Sequence, residues 1–396
     1  MQAFEFYSPT KIIFGPNTEE QVGQQVAVHG GSRVMVVYGG NSAIKSGLLE
    51  RVLHSLDGAG LIYQCIGGVK PNPRLSLARE GLKQALAFGA DFILAIGGGS
   101  VIDTAKAIAD GAANPECDIW DDFWLKKIPL PGSLPAGVVL TIPAAGSESS
   151  DSAVLTNDKT HEKRGLSSPF HRPRFAIMNP ELTFTLPSYQ VTCGIVDIMM
   201  HTMDRYFNPV TTNALTDEIA EGLLRNTIFY GRRAMEHHAD YQAMSELMWA
   251  GSLSHNGLTG LGNQPDFAPH QLGHEFNAMF DVAHGASLSA IWDSWARYCA
   301  NTNPSRFARF AENVWELDPV GKDANALAME GIEATRQFFL SLNMPTCMSQ
   351  LSCGVQPESV LKDLAFRCTY GNTRTIGSFR VLNYADILAI YRLANH

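Results

Sequence analysis

The feature that most constrains the fold is a change of pattern along the chain. In the first half, short runs of β-branched and apolar residues alternate with helical stretches. The runs predict strands at residues 11–14, 33–38, 61–65, 91–96 and 137–142, and helices at residues 76–88 and 101–113. Several of these runs are apolar on both faces, as in parallel strands covered by helices on either side. The alternation therefore predicts an α/β fold with a parallel, Rossmann-like sheet.

After residue 180 long helical patterns dominate, and a polar stretch at residues 152–178 before them resembles a hairpin laid on the sheet. The predicted helices lie at residues 187–206, 213–236, 240–256, 285–300, 325–342, 357–370 and 384–394. A chain of 396 residues exceeds what one core usually serves, so two domains are expected. The expected domains are an α/β domain at residues 1–185 and an all-α domain at residues 186–396.

The composition is that of an ordinary soluble globular protein, with 45% hydrophobic and 17% charged residues. A formal net charge of −9 argues against a nucleic-acid-binding surface. Neither a signal peptide nor an uninterrupted apolar stretch of about 18 residues is present, so no membrane association is expected. The seven cysteines are scattered and lack a C-x-x-C pair, which is typical of reduced thiols. A cytoplasmic protein is expected.

Four potential metal ligands occur in two groups in the helical half. Asp197 and His201 are four residues apart, which places both side chains on one face of a helix, with Cβ atoms about 5–6 Å apart. In the second group, His284 follows His270 and His274, which are one helical turn apart. One carboxylate with several imidazoles suits a transition metal such as iron or zinc better than calcium or magnesium.

Chance and other metal enzymes are the alternatives for this group. An aspartate and a histidine four residues apart occur often without a metal, so the three histidines within fifteen residues carry most of the weight. In the zincin pattern the glutamate directly follows the first histidine, whereas here Glu275 follows His274, the second. The spacing therefore gives no support to a metallopeptidase.

Two glycine-rich turns follow predicted strands in the first half. One turn contains Gly97, Gly98, Gly99 and Ser100, and the other contains Gly39, Gly40, Asn41 and Ser42. Adjacent glycines let the backbone approach a ligand closely, and the N–H groups at the start of the following helix favour phosphate. Either turn alone is a weak signal because tight turns need glycine anyway. Together they predict a dinucleotide site at the carboxyl ends of the strands.

The second turn also bears on which dinucleotide binds. NAD enzymes commonly place an acidic residue at the end of such a strand, where it binds the ribose 2′-hydroxyl. This chain has Gly39 and Gly40 there, with Ser42 and Lys45 nearby as possible partners of a 2′-phosphate. NADP(H) is therefore favoured over NAD(H). The alternative is that the glycines merely close the turn and either cofactor binds.

In combination, these motifs resemble the iron-containing (group III) alcohol dehydrogenases. The similarity runs from the segment at residues 10–15, through Pro71-Asn-Pro73 and the turn at residues 97–100, to the histidine cluster. It is greatest for the branch of butanol dehydrogenases and NADPH-dependent aldehyde reductases. The resemblance implies an α/β dinucleotide-binding domain, an all-helical metal-binding domain and a homodimer.

The resemblance also implies roles for individual residues. The ligands of one divalent ion, Fe²⁺ first and Zn²⁺ or Ni²⁺ as alternatives, would be Asp197, His201, His270 and His284. Gly97 to Ser100 would hold the pyrophosphate, and the other implied cofactor contacts are Asp103 near the ribose, Thr141, and Lys163 toward the nicotinamide. His274 would stand beside the nicotinamide rather than on the metal. Family members often carry threonine where this chain has Ala145, which removes a hydroxyl contact to the cofactor.

The implied reaction is hydride transfer between NAD(P)H and a small aliphatic aldehyde or primary alcohol. His274 would relay the proton, since imidazole titrates near neutral pH. The alternatives are a glycerol-dehydrogenase-like or a dehydroquinate-synthase-like enzyme, and the few basic residues around the histidines disfavour the latter. A group of aromatic residues is predicted either to line an apolar substrate pocket or, more commonly for such residues, to pack in a core: Trp120, Phe123, Trp124, Phe276 and Phe280.

Overall fold

The chain forms two compact units in a computed structural model that describes residues 2–210 and 213–396. The sheet unit comprises Tyr7–Leu186 and Ala239–Ser252. The helical unit comprises Met1–Phe6, Pro187–His238 and Leu253–His396. The main division thus falls between residues 186 and 187, and a second excursion of the chain adds residues 239–252 to the sheet unit. The domain limits expected from the sequence, residues 1–185 and 186–396, include no such excursion.

The sheet unit is built on six parallel strands. In chain order, the eight strands of the unit are β1 (Lys11–Phe14), β2 (Arg33–Tyr38), β3 (Ile62–Ile66), β4 (Phe92–Gly97), β5 (Ala136–Leu140), β6 (Ser152–Asn157), β7 (Glu162–Ser167) and β8 (Phe175–Met178). The main sheet has the order β1-β8-β5-β4-β2-β3, and every pair in it is parallel. The predicted parallel, Rossmann-like sheet is therefore confirmed.

Helices cover both faces of this sheet. The helices of this part of the chain are α1 (Val22–Val28), α2 (Ser42–Lys45), α3 (Leu48–Gly58), α4 (Leu75–Phe88) and α5 (Gly99–Ala113). Successive side chains of β2 point to opposite faces: Val34 and Val36 join a core with residues of α1 and α3, while Met35 and Val37 join a core with residues of α4 and α5. Burial on both faces explains why the strands are apolar throughout.

The segment at residues 152–178 contains more than the predicted hairpin. β6 and β7 pair antiparallel in a separate two-stranded sheet, as a hairpin requires. Phe175–Met178, however, is a strand of the main sheet, where it lies between β1 and β5. All four of its residues are buried. Extending the hairpin to residue 178 was therefore wrong, because this short apolar run is paired with strands distant in the sequence.

The remaining helices lie mostly in the helical unit. They are α6 (Ser188–Tyr206), α7 (Ala214–Glu236), α8 (Tyr241–His255), α9 (Ala268–Phe280), α10 (His284–Cys299), α11 (Pro304–Trp315), α12 (Ala324–Ser341), α13 (Glu358–Cys368) and α14 (Tyr384–Ala394). Most of α8 belongs to the sheet unit, where Met248 enters the core. Among the described residues, no helix is both long and apolar enough to span a membrane.

Candidate metal centre and cofactor site

Three helices of the helical unit bring the potential metal ligands together. Asp197 and His201 lie on α6, one turn apart, and His270 lies in the first turn of α9, which has Pro269 near its start. His284 is the first residue of α10. Two sequence segments separated by about seventy residues therefore meet at one point.

The distances within this group match those between ligands of one ion. A single oxygen of Asp197, Oδ1, lies 3.4 Å from Nδ1 of His201, 3.6 Å from Nε2 of His270 and 3.6 Å from Nε2 of His284. Metal–ligand bonds of about 2.0–2.2 Å in a tetrahedral arrangement separate the ligand atoms by about 3.3–3.6 Å. Ligand atoms of Asp197, His201 and His270 all lie within 4.8 Å of one another. The spacing fits a divalent transition metal.

Several of these polar atoms are buried without a hydrogen-bond partner in the described part of the chain. They are Oδ1 of Asp197, Nδ1 of His201 and Nε2 of His270. A buried polar atom without a partner costs free energy, so three that face one another are the arrangement expected of side chains that hold one ion in common. The side chain of His284 is the most accessible of the four, at 26% exposed. The residues present therefore fit a metal, with access from the side of His284.

Burial and neighbouring carboxylates set the protonation of the histidines. Burial lowers the pKa of His201 well below its usual value. Burial also opposes a charge on His270, but the carboxylates of Asp204 and Asp197 outweigh it and raise the pKa of His270 to about 9. A proton and a metal ion would therefore compete for the Nε2 atom of His270.

Three residues beside the metal group were not predicted from the sequence. Asp204 accepts a hydrogen bond from Nδ1 of His270 at 2.5 Å, and the side-chain oxygen of Asn277 lies 3.0 Å from Nδ1 of His284. The ring of His255 lies with its centroid 4.0 Å from that of His201. Asp204 lies on the same face of α6 as Asp197 and His201, and this spacing can be read from the sequence. Its hydrogen bond to His270 on α9 depends on the tertiary fold and cannot be read from it.

His274 lies beside the metal group, outside the cluster of buried ligand atoms. Its ring centroid is 5.5 Å from that of His284 and 6.3 Å from that of His270. It is only partly buried. Its assignment as a residue beside the nicotinamide rather than a metal ligand, and its role in the reaction, stay predictions.

A close contact between α6 and α10 helps to place His284. A Cβ atom on Gly285 would lie 2.3 Å from the carbonyl oxygen of Cys193, so only glycine allows this approach of the two backbones. Gly285 directly follows His284, and Cys193 lies one turn before Asp197. The crossing of the two helices thus brings His284 to Asp197.

In the sheet unit, the two glycine-rich turns follow neighbouring strands at the same edge of the sheet. β2 and β4 are paired, with Tyr38 opposite Ile96, and Gly39 and Gly97 lie at the ends of these two strands. The chain leaves β2 for β3 on one side and returns to β4 on the other, so the topological switch point lies between them. Ligands of open parallel sheets bind at such a point.

The turn after β4 has space only for small residues. A Cβ on Gly97 would come within 2.5 Å of the side chain of Val101, and a Cβ on Gly99 would lie 3.1 Å from that of Ala145. Gly98 precedes the first turn of α5, which begins at Gly99. The N–H group of Thr141, just after β5, donates to the carbonyl of Gly97 at 3.2 Å. The predicted cofactor residues at the carboxyl ends of the adjacent strands β2, β4 and β5 thus lie along the same side of the sheet.

Asp103 and Lys163, the other two predicted cofactor residues, contact neighbouring protein groups. Asp103 accepts hydrogen bonds from the hydroxyl of Ser147 at 2.7 Å and from the N–H group of Val154 at 3.0 Å. Lys163, on β7, donates to the side-chain oxygen of Asn72 at 3.1 Å. Their contacts with a cofactor stay predictions.

Most of the aromatic residues considered for a substrate pocket are core residues. Trp120, Phe123 and Trp124 are at most 2% exposed and form a hydrophobic cluster of the sheet unit with Ile119 and other apolar side chains. In the helical unit, Phe276 is fully buried. The core interpretation is therefore confirmed for these four, while Phe280 is partly buried.

Comparisons with known proteins agree with this architecture along the whole chain. The model of the iron-containing alcohol dehydrogenase family matches residues 9–180, and the C-terminal model of the Fe-containing alcohol dehydrogenase family matches residues 191–395. The chain belongs to the iron-containing alcohol dehydrogenase family. It is thus a metal-dependent oxidoreductase that uses a nicotinamide cofactor.

Similar proteins of this family cover nearly the entire chain. NADH-dependent butanol dehydrogenase A of Clostridium acetobutylicum is 37% identical over 395 residues, which are 99% of each sequence. NADPH-dependent aldehyde reductase YqhD of Escherichia coli is 35% identical over 92% of this chain and 93% of its own length. The crystal structure of NADH-dependent butanol dehydrogenase A from Thermotoga maritima superposes with a TM-score of 0.95 at 34% identity, covering 100% of this chain and 99% of that one.

Proposed function

We propose that this enzyme interconverts small aliphatic aldehydes and the corresponding primary alcohols. The proposed cofactor of the helical unit is one divalent metal, with Fe²⁺ as the first candidate, and its ligands are Asp197, His201, His270 and His284. The observation that carries the proposal is that three facing ligand atoms, Oδ1 of Asp197, Nδ1 of His201 and Nε2 of His270, are buried without a hydrogen-bond partner among the described residues. The butanol dehydrogenases and the aldehyde reductase among the relatives support the substrate class.

The chemistry divides between two bound groups and the residues that hold them. A metal held by these residues would supply a Lewis acid for the substrate oxygen, and a nicotinamide cofactor held at the glycine-rich turns would supply the hydride chemistry. Asp197 supplies the negative charge of the ligand set, and the three imidazoles complete it. The glycines at residues 97–99 give the pyrophosphate close access to the backbone at the start of α5.

His274 is the residue we propose for proton transfer. It is one turn from His270 on α9, and its ring lies 5.5 Å from that of His284, next to the proposed ligand set without belonging to it. Replacing His274 with alanine should leave the metal content unchanged and slow turnover. An unchanged turnover number would remove it from the mechanism.

The proposed cofactor is NADP(H). Gly39 and Gly40 follow β2 where an acidic residue would repel a 2′-phosphate, and Ser42 and Lys45 form the short helix α2 just beyond them. The relatives add no support to this preference: four that are named for NADH match 99% of the chain at 34–37% identity, and the NADPH-dependent aldehyde reductase is 35% identical over 92%. The proposal of NADP(H) therefore rests on the residues that follow β2.

The enzyme is proposed to be a cytoplasmic homodimer. All seven cysteines are free thiols, which suits a reducing compartment. β1 is an edge strand of the six-stranded sheet and therefore presents backbone groups to which a second copy can pair. Light scattering should give twice the 43.2 kDa mass of one chain, whereas the mass of a single chain would contradict the dimer.

The decisive experiment follows the absorbance of the reduced cofactor with iron-reconstituted protein and butyraldehyde, using NADPH and NADH in parallel. Chelation of the metal and the substitution His270→Ala should each lower kcat/KM at least about 100-fold, because a Lewis acid supplies several kcal/mol of transition-state stabilisation. His237→Ala, a substitution of an exposed histidine, is the matched control and should have no effect. Turnover that survives complete metal removal would contradict the proposal, and a higher kcat/KM with NADH would contradict the cofactor preference alone.

A further inference from the structure

His270 is held between two carboxylates, and only one of them belongs to the proposed ligand set. Its Nε2 atom lies 3.6 Å from Asp197, while its Nδ1 atom lies 2.5 Å from Oδ2 of Asp204. The side chains of His270 and Asp204 are 5% and 1% exposed, respectively. Water therefore contributes little to the environment of this pair.

The contact with Asp204 determines which ring nitrogen is available to an ion. A carboxylate only accepts hydrogen bonds, so the Nδ1 atom of His270 carries the hydrogen that it donates to Asp204. The neutral ring then has its lone pair on Nε2, the atom that points to Asp197 and has no other partner within the described residues. A carboxylate behind a ligating imidazole also makes the imidazole a stronger base and a better ligand.

Asp204 is itself fixed by the start of α9. Its backbone carbonyl accepts a hydrogen bond of 2.7 Å from the N–H group of Asp266. The Asp266 carboxylate accepts from the N–H groups of Ala268, Ser378 and Phe379, at 2.9, 2.8 and 2.8 Å. These bonds join α6, the first turn of α9 and the loop before α14. The distance between Asp204 and His270 is therefore set by the protein before any ion binds.

The corresponding contact of His284 is of a different kind. Nδ1 of His284 lies 3.0 Å from the side-chain oxygen of Asn277, a neutral acceptor. Asn277 also donates to the carbonyl of Val282 and to the hydroxyl of Ser287, so its orientation is determined. Both histidines thus have an oxygen near Nδ1, a carboxylate oxygen for His270 and an amide oxygen for His284.

We propose that Asp204 is a positioning residue that holds His270 in the tautomer with Nε2 free and strengthens metal binding at this site. This inference rests on the proposed function, because it presupposes that the group around Asp197 binds a metal. The substitution Asp204→Asn keeps the size of the side chain and removes its charge. We expect it to weaken metal binding about 10- to 100-fold, the usual effect of losing such a partner.

The test is a titration of the metal-free, full-length protein with Co²⁺, whose visible absorption reports both affinity and geometry. The matched control is Asp217→Asn, which removes another buried carboxylate of the helical unit, one paired with Arg306 and not with a histidine. A purely structural role for Asp204 would make the two variants alike. We expect the control to lose stability but to keep the wild-type Co²⁺ affinity and spectrum, and Asp204→Asn to change both.

The possible outcomes separate this inference from the proposed function. If the wild type binds no Co²⁺, or if Asp197→Asn binds it as the wild type does, the metal site itself is wrong. If the wild type binds and Asp204→Asn binds equally well with an unchanged spectrum, the site stands and the role of Asp204 is wrong. Should Asp204→Asn fail to fold, the pair Asp204→Glu and Asp204→Gln compares a charged with a neutral side chain of equal length. Equal Co²⁺ affinity of that pair would overturn the inference, and tighter binding by the glutamate variant would support it.

Discussion

At the residue scale, a buried lysine connects α5 with the segment between β5 and β6. Lys106, on α5, is 2% exposed, and its ammonium group donates to the carbonyls of Ser147, Ser150 and Ser152 and to the hydroxyl of Ser147 at 2.7–3.2 Å. Burial lowers the pKa of Lys106 to about 8, despite the opposing attraction of Asp103 and other carboxylates. The hydrogen bonds of Lys106 thus stabilise this segment, whereas the burial of its positive charge lowers the free energy of unfolding.

This combination predicts a pH-dependent contribution to stability. Below pH 8 Lys106 is protonated in both the folded and the unfolded chain. Between pH 8 and about 10.4 the unfolded chain keeps a proton that the folded chain has lost, so the contribution of this lysine to the free energy of unfolding rises by up to about 1.4 kcal/mol per pH unit. Urea unfolding of the wild type and Lys106→Met at pH 7, 8, 9 and 10 measures the difference. A difference in the free energy of unfolding that stays constant or falls across this range would show that the fold does not lower the pKa of Lys106.

At the element scale, the crossing of α6 and α10 brings the proposed metal ligands of these two helices together. Asp197 and His201 lie on α6, and His284 is at the start of α10, so the group depends on how closely the two backbones approach. Gly285 permits that approach because its missing side chain leaves room for the carbonyl of Cys193. The position of the ligands is therefore a property of a helix pair rather than of a loop.

Gly285→Ala should separate the two helices at this point. The added methyl group would meet the Cys193 backbone at 2.3–2.8 Å, and overpacking of this kind usually costs about 1–3 kcal/mol. We expect a lower melting temperature together with weaker Co²⁺ binding, because His284 moves with the helix. Gly222→Ala on α7, where the added methyl group would lie 3.9 Å from the tip of Arg225, is the control and should be neutral or stabilising by up to about 1 kcal/mol. Unchanged metal affinity in Gly285→Ala would mean that the crossing does not set the position of His284.

Some strands and helices were predictable from the sequence and others were not. Strands at residues 11–14 and 33–38 were predicted with their observed bounds, because apolar runs between turn residues are a local signal. The strand at Phe175–Met178 was missed because its apolar run was assigned to the end of the predicted hairpin, and only its pairing with β1 and β5 shows that it belongs to the main sheet. The helix Pro304–Trp315 was also missed, although Phe307, Phe310, Ala311 and Val314 form a regular buried face that was visible in the sequence.

The same limit applies to the candidate site. The approach of Asp197, His201, His270 and His284 was predicted from residue type and helical spacing, and the structure brings these four together. Asp204 and Asn277 were not predicted, because each acts through a hydrogen bond to a histidine on a neighbouring helix or turn. Residue chemistry and local period are readable in a sequence, whereas a partner across two helices depends on the tertiary fold.

At the scale of the whole molecule, each unit has its own core and its own proposed ligand. The sheet unit carries the glycine-rich turns at the edge of a sheet that is buried on both faces. The helical unit carries the metal group on α6, α9 and α10. A ligand stabilises the folded state to which it binds, by about 4 kcal/mol when its free concentration is a thousand times its dissociation constant. Each ligand should therefore stabilise a different unit.

Calorimetry of the metal-free protein should accordingly show two transitions that respond to different ligands. Saturating metal should raise mainly the melting temperature of the helical unit, whose residues would hold it, and saturating NADPH should raise mainly that of the sheet unit, whose glycine-rich turns would hold its pyrophosphate. In Asp197→Asn, the response to metal should disappear and the response to NADPH should remain. The assignment of transitions can be checked by hydrogen exchange of peptides from α5 and α10 near each melting temperature. If either ligand alone moves both transitions equally, the two units unfold as one cooperative body, and their independence, which rests on the separate cores, is wrong.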